Sequence, residues 1–246
     1  MNPVIKTVNL SKQFGNFTAV DSLNFEVYPG EIFGFLGANG AGKTTAIRML
    51  CGLLKPSSGD AKVAGYDIYR ETNHLKDNIG YMSQKFSLYE DLSIVENIRF
   101  YGGIYGLSDE QIKQKSKTFI EDLGLESQKN KMVQSLPLGW KQKLAFSIAM
   151  MHEPKIVFLD EPTAGVDPLS RRQFWDMIYA AAARKITMFI TTHYMDEAEY
   201  CDRISIMVDG KMAAIDTPSS LKKQFELDSI DAVFLKLARG SSSPMQ

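Results

Sequence analysis

Ile32-Phe33-Gly34-Phe35-Leu36-Gly37-Ala38-Asn39-Gly40-Ala41-Gly42-Lys43-Thr44-Thr45 is the stretch that decides the fold. Ile32 to Leu36 is a near-continuous apolar run, as a strand buried on both faces requires. Gly37 to Thr44 fits G-x-x-x-x-G-K-[ST], and a helix is expected from about Lys43 to Leu50, with Gly52 near its end. The chemistry dictates these residue types. Glycines let the backbone curl so that its N–H groups face phosphate oxygens, and the helix N-terminus adds partial positive charge. Lys43 is placed for the outer phosphates, and the Thr44 hydroxyl for Mg²⁺. Strand, loop and helix in that order are the context the motif needs.

Working outward, Lys155-Ile156-Val157-Phe158-Leu159-Asp160-Glu161 is an apolar strand ending in two carboxylates. Alone it is a pair of acids at a strand end. Beside a phosphate loop, Asp160 suits the Mg²⁺ side and Glu161 suits polarising an attacking water. Other apolar stretches flank these two. Val4 to Leu10, Asn24 to Tyr28, Thr187 to Thr192 and Ile204 to Val208 read as further strands. From about Leu92 to His152 the pattern is mostly helical. Ser93 to Glu96 and Ser108 to Gln111 are capping boxes, and the second opens a segment with Ile112, Phe119, Ile120 and Leu123 inward and Gly124 as terminator. The expectation is an α/β core interrupted by a helical insertion of about 60 residues, a size suited to a subdomain. The end of the chain, from Gly240, reads as irregular.

Composition narrows the function. The chain has 246 residues, 44% of them hydrophobic, and a formal charge of −1. That length can bury a sizeable core. The near-neutral balance argues against nucleic acid as a partner. Cys51 and Cys201 have no metal-ligand spacing and read as reduced, buried thiols. No apolar run reaches the roughly 20 residues that cross a bilayer, so a membrane role would come through a partner.

The order Gly37 to Thr44, then Gln84, Asp160-Glu161, Asp167 and His193 resembles the nucleotide-binding domain of ATP-binding cassette (ABC) transporters, from about Val4 to Leu237. It looks most like the drug- and polysaccharide-exporter branch, whose tail is similar to Asp231-Ala-Val-Phe-Leu-Lys-Leu. The resemblance implies a P-loop NTPase (RecA-like) core with an antiparallel β subdomain and an inserted α-helical subdomain. It implies a core lobe at about 1–85 and 155–216, a helical subdomain at about 86–154 and a C-terminal tail at 217–246, all one ATPase domain. It further implies an ATP-hydrolysing subunit, Mg²⁺-dependent, that dimerises and powers export by an integral-membrane permease from the inner face of the membrane.

Residue by residue, the resemblance implies ATP contacts from Phe14, Gly37, Asn39, Gly40, Ala41, Gly42, Lys43, Thr44 and Thr45. Phe14 matches the aromatic that stacks on adenine, although a core phenylalanine is the plainer alternative. Thr44, Gln84 and Asp160 match the Mg²⁺ side. Glu161 matches the general base, and His193 the histidine that holds the γ-phosphate and the attacking water. Asp167 matches an acid that crosses the dimer, and it can also cap the helix opened by Pro168. Phe86, Leu88 and Tyr89 would receive a helix of the membrane subunit.

One stretch departs from the pattern. Where the family usually reads Leu-Ser-Gly-Gly-Gln, this chain has Leu136-Pro137-Leu138-Gly139-Trp140. The expected role is to cover the triphosphate held by a facing cassette. A lost hydrogen bond to a charged group, worth roughly 1.5–3 kcal/mol, weakens such a closed state about tenfold to a hundredfold. The helix end and the Gly139 N–H remain, Pro137 suits a first helical position, and Trp140 would substitute packing for polar contact. The departure leaves open whether the partner is a second copy or a different cassette. Two other functions fit a cassette of this kind: a soluble cassette acting on ribosomes or chromosomes, and a nucleotide-binding regulator that does not hydrolyse. The first usually carries two cassettes or a long coiled coil, and Glu161 with His193 speaks against the second.

Overall fold

Strict alternation in the buried strands sets the layers. Phe33, Phe35, Phe158 and Phe189 face one side of a sheet, while Leu36, Val157, Leu159, Met188 and Ile190 face the other. Successive strand side chains point to opposite faces, so a strand hydrophobic at every position must be covered twice. The computed structural model describes residues 2–84 and 88–241. Their elements run β1 (Ile5–Phe14), β2 (Phe17–Val27), β3 (Ile32–Gly37), α1 (Lys43–Leu50), β4 (Ser58–Val63), β5 (Tyr66–Asp67) and α2 (Thr72–Asp77). β6 (Ile79–Met82), α3 (Ile94–Ile104), α4 (Asp109–Asp122), a 3₁₀ turn (Val133–Ser135), α5 (Leu138–Ala149), β7 (Ile156–Asp160) and α6 (Pro168–Ala183) follow. The chain continues with β8 (Thr187–Thr192), a 3₁₀ segment (Met195–Tyr200), β9 (Arg203–Val208), β10 (Lys211–Asp216), α7 (Pro218–Phe225) and α8 (Ile230–Ser241).

Two sheets result. One has the order β10-β9-β3-β8-β7-β6, with β9 to β6 parallel and β10 antiparallel at its edge. The other, β2-β1-β4-β5, is antiparallel throughout. Phe25 of the second sheet closes on Phe33, Phe35 and Phe189 of the first at ring-centroid distances of 5.8, 5.9 and 6.1 Å. Fully burying one such ring stabilises by about 1.5–3 kcal/mol, so this aromatic layer joins the sheets. The parallel register brings Gly37, Met82, Asp160 and Thr192 to one edge, the carboxyl ends of their strands. In open parallel sheets, ligands bind outside that edge.

Helices α3, α4 and α5 lie in sequence between β6 and β7. Both expected capping boxes form, at Ser93 with Glu96 and at Ser108 with Gln111. Ile112, Ile120 and Leu123 are buried, and Phe119 is partly so. Gly124, at φ 63°, ends α4, and Leu125 N–H returns to Ile120 O at 2.9 Å, the Schellman pattern.

Several elements depart from expectation for physical reasons. β1 continues to Phe14, and β2 starts at Phe17, well before Asn24, because register shifts between Thr7 and Gln13 break the two-residue period. β4 carries no apolar run, and the short stretches Ile79 to Met82 and Met212 to Ile215, in β6 and β10, hold glycine or alanine where β-branched and aromatic residues would announce a strand. α8 runs through Gly240 to Ser241, where an irregular tail was expected, and residues 242–246 lie outside the described ones. Both cysteines are buried and unpaired. Among the described residues no helix is long and apolar enough to cross a membrane.

Candidate nucleotide site

The loop between β3 and α1 is pressed against its neighbours. Gly42, the residue before α1, sits at φ 102°, and a Cβ there would lie 2.3 Å from Ala19 O. Only glycine meets both conditions. The first-turn N–H groups of α1 have no intrahelical acceptor and point out of the sheet edge. Lys43 folds inward. Its Nζ donates to Gly37 O at 2.8 Å and Ala38 O at 3.1 Å, and lies 3.2 Å from Glu161 Oε1. Both partners of that ion pair are buried.

β7 delivers the two acids differently. Asp160 is the last residue of the strand and accepts at Oδ1 from Thr191 Oγ1 (2.7 Å) and Thr44 Oγ1 (3.2 Å). Its Oδ2 is buried without a hydrogen-bond partner among the described residues. Burial lifts the Asp160 carboxyl above its ordinary range; the two threonine bonds oppose that, and the charge of Glu161 adds to it. Glu161 has φ 51°, a left-handed conformation that costs a non-glycine residue about 1–2 kcal/mol. The turn is held by Glu161 N–H, which donates to Thr191 O and Thr191 Oγ1, both at 3.1 Å. It aims the side chain sideways along the sheet edge. There Gln84 Nε2 donates to Glu161 Oε2 at 3.1 Å, and His193 Nδ1 lies 3.0 Å from the same oxygen. A carboxylate only accepts, so His193 Nδ1 carries the hydrogen of that contact and Nε2 is left for other use.

Above these groups opens a cavity of about 360 Å³ lined by Phe14, Phe17, Asn39, Gly40, Gly42, Lys43, Thr44, Thr45, Gln84 and Glu161. Gly37, Ala41 and Asp160 are buried beneath it. Phe14 is half exposed, not core, and Lys12 Nζ stands 5.1 Å from its ring centre on an otherwise open aromatic. Gln84 was expected on the Mg²⁺ side with Thr44 and Asp160; here its side chain donates to Glu161 at the rim of the same cavity. Sequence reasoning missed Phe17, which is 65% exposed and pairs with Phe14 across the hairpin. The signal was available in Phe14-Gly15-Asn16-Phe17, where a two-residue turn pairs the two phenylalanine positions across the hairpin. Thr191 was also missed; a hydroxyl one position from a strand end carries no periodic signature.

Leu136 to Trp140 lie apart from this cavity, at the start of α5. Pro137 is the N-cap, one position before the first helical residue where it was expected, and no side chain caps the helix. Gly139 is buried: a Cβ there would meet Ser170 Oγ at 2.6 Å, in the first turn of α6. Leu136 is buried, Leu138 and Trp140 are half buried, and Lys143 Nζ stands 4.7 Å from the Trp140 ring centre. Asp167 caps α6 by accepting from Ser170 N–H at 2.9 Å, with Pro168 at the first helical position.

The expected docking trio divides. Phe86 lies outside the described residues. Leu88 is 6% exposed and packs in the core beside Ile94 and Ile98, which corrects its assignment to an outer surface. Tyr89 is exposed and meets Phe100 edge-on at 4.7 Å. Close by in sequence, Ile104, Tyr105 and Leu107 line a larger cleft of about 560 Å³ with Leu53 and Tyr81. Size does not make that cleft the chemical site, because it holds neither the loop nor the paired acids.

A parallel sheet with a phosphate loop after β3 and adjacent acids at the tip of β7 defines a P-loop nucleoside triphosphatase. Residues 20–164 match the family described as "ABC transporter". The chain is 50% identical over 90% of its length to "Probable multidrug ABC transporter ATP-binding protein YbhF" of Escherichia coli (strain K12), and spans 38% of that relative. It is 36% identical over 92% of its length to "Linearmycin resistance ATP-binding protein LnrL" of Bacillus subtilis (strain 168), covering 73% of it. A solved "Structure of ATP binding subunit of ABC transporter" superposes with a TM-score of 0.85 at 26% identity, over 95% of this chain and 99% of that one. The chain belongs to the ABC transporter family, as one of its ATPase cassettes.

Proposed function

We propose that this cassette hydrolyses ATP to drive export by an integral-membrane partner, in a dimer whose two copies close over the nucleotide. One observation carries the reading. The Glu161 carboxylate, turned out of the strand by a left-handed residue, faces the phosphate loop and is held there by Lys43, Gln84 and His193. On nucleotide binding, Lys43 exchanges Glu161 for the outer phosphates. Glu161 is then free to take the proton of an attacking water, and His193, fixed through Nδ1, keeps it oriented. Phe14 and Phe17 offer ring faces to the base.

The residues present fit Mg²⁺. Thr44 Oγ1 and Asp160 are hard oxygen donors already in contact, and the orphaned Oδ2 of Asp160 is a buried acceptor in need of a cation or its water. When bound, the ion would neutralise charge building on the phosphates. Gln84 contributes through Glu161 and from the rim.

YbhF is named a probable multidrug protein and LnrL a linearmycin resistance protein, so export of a drug or antibiotic is the reading for this chain. The cleft of Leu53, Tyr81, Ile104 and Tyr105, continued by Tyr89 and Phe100, seats a short helix of the membrane subunit at the inner face of the membrane. Phosphate release from the purified chain tests the hydrolytic core: Glu161→Gln retains ATP and slows release about a hundredfold or more. Equal release by both proteins ends the assignment of Glu161. Ile104→Glu tests the seat: ATPase of the isolated chain is unchanged and co-purification of the membrane subunit is lost.

A further inference from the structure

Glu197 lies outside the lining of the nucleotide cavity. Its side chain is fully buried in the 3₁₀ segment that follows β8. A buried carboxylate is costly unless hydrogen-bonded and paired, so its surroundings are informative. Thr163 Oγ1 donates to Glu197 Oε1 at 2.5 Å. Arg171 Nε, from the first turns of α6, lies 3.8 Å from the same oxygen, and Arg171 Nη1 lies 3.5 Å from Asp196. The Arg171 guanidinium also stacks over the Tyr194 ring at 4.5 Å, and that ring packs against His193 at 4.2 Å.

The positions along the chain matter. Thr163 is two residues after Glu161, and Glu197 is four residues after His193. The segments leaving β7 and β8 are therefore tied twice: through Glu161 and His193 at 3.0 Å, and through Thr163 and Glu197 behind them. Two fixed points determine the relative orientation of two short segments, where one leaves them free to swing. The same α6 turn that carries Arg171 holds Ser170 against Gly139 of α5.

We propose that Glu197 is a positioning residue, which through Thr163 holds Glu161 and His193 in reactive register and through Arg171 fastens both to α6. It touches no substrate. The proposal rests on the reading of Glu161 as base, and the experiment separates the two.

The test compares Glu197→Ala, Glu197→Gln, Thr163→Val and the Thr163→Val/Glu197→Ala double variant for kcat, KM and melting temperature. Glu197→Ala is expected to lower kcat about tenfold while KM moves less than about threefold, because register fails and binding does not. Gln keeps an oxygen for the Thr163 hydroxyl, so Glu197→Gln recovers most of that loss. The double variant is expected to be no slower than Glu197→Ala, since both changes break one contact. Unchanged kcat in soluble Glu197→Ala overturns the proposal, as does an additive double variant. So does Glu197→Gln no faster than Ala at a normal melting temperature. If Glu197→Ala fails to fold, Thr163→Val decides: lowered kcat at constant KM supports the proposal, and wild-type kcat overturns it. Glu161→Gln runs alongside; hydrolysis surviving there removes the base assignment itself, which none of the Glu197 outcomes can mimic.

Discussion

Two helices of this cassette were expected to begin at an anion, and they are built in opposite ways. α1 begins at a glycine that no other residue can replace, with a buried lysine and two acids beneath it. α5 begins at Pro137 with no side-chain cap, and its next residues are Leu138, Gly139 and Trp140. The first start is polar and over-connected; the second is apolar and packed, with Gly139 wedged against Ser170. The lesson is that a helix N-terminus supplies only a weak, generic attraction for anions, and neighbouring side chains decide how strongly it is used.

The largest effect is expected at the polar start. Lys43→Ala leaves buried Glu161 without its cation, which destabilises by about 3 kcal/mol, and removes the side chain proposed for the outer phosphates. A fluorescent ATP analogue should bind about a hundredfold more weakly. Undiminished binding would erase the contrast between the two helices. At the apolar start, Gly139→Ala forces a Cβ into Ser170. Overpacking of this kind costs about 1–3 kcal/mol, read as a lower melting temperature, and dimer-dependent hydrolysis should fall about tenfold. Pro137→Ser tests the reverse direction. It supplies the missing cap and should raise stability by about 1 kcal/mol while tightening ATP-dependent dimerisation. No gain would show that packing by Leu138 and Trp140 already satisfies this end.

The smallest effect concerns the seam where α5 leads back into the sheet. His152 stacks on Tyr105 at 4.0 Å and contacts Ile79 O through Nε2 at 2.9 Å, with Nδ1 buried and lacking a hydrogen-bond partner among the described residues. Burial holds its pKa below 6.5; the Ile79 carbonyl and Asp77 pull upward, and Lys115 adds to the lowering. The unfolded chain therefore takes up the proton first, so stability is full above about pH 6.5 and is lost as pH falls through the folded value. Melting temperatures at pH 8 and pH 5.5 should show a drop that His152→Phe reduces. An identical drop in the variant would assign it to other groups.

Much of the site was legible because its parts are contiguous in sequence. The loop from Gly37 to Thr44 and the acids after Leu159 announce themselves by residue type and by the strand before them, and the structure brings both to one edge. The parallel strands were legible because burial on both faces leaves an apolar run. What was not legible is contact made across strands or lobes. Thr191 matters only because β8 lies between β3 and β7, an order that local pattern does not encode. Leu88 reads as a surface residue until α3 covers it. β4 is mostly polar and β10 mostly exposed or half buried, and there pairing with a neighbouring strand, more than burial, makes the strand.

The hydroxyl of Thr191 bonds to both neighbours at once, giving a hydrogen to Asp160 and taking one from the backbone of Glu161. The spacing of Asp160 and Glu161, the acids proposed for the cation and for the attacking water, is thereby written into the sheet itself and is insulated from whatever happens at the rims. A lineage is then free to rewrite its α5 start, or the cleft proposed to receive the membrane subunit, without retuning the sheet edge. The unusual residues around Gly139 are the kind of change such insulation permits.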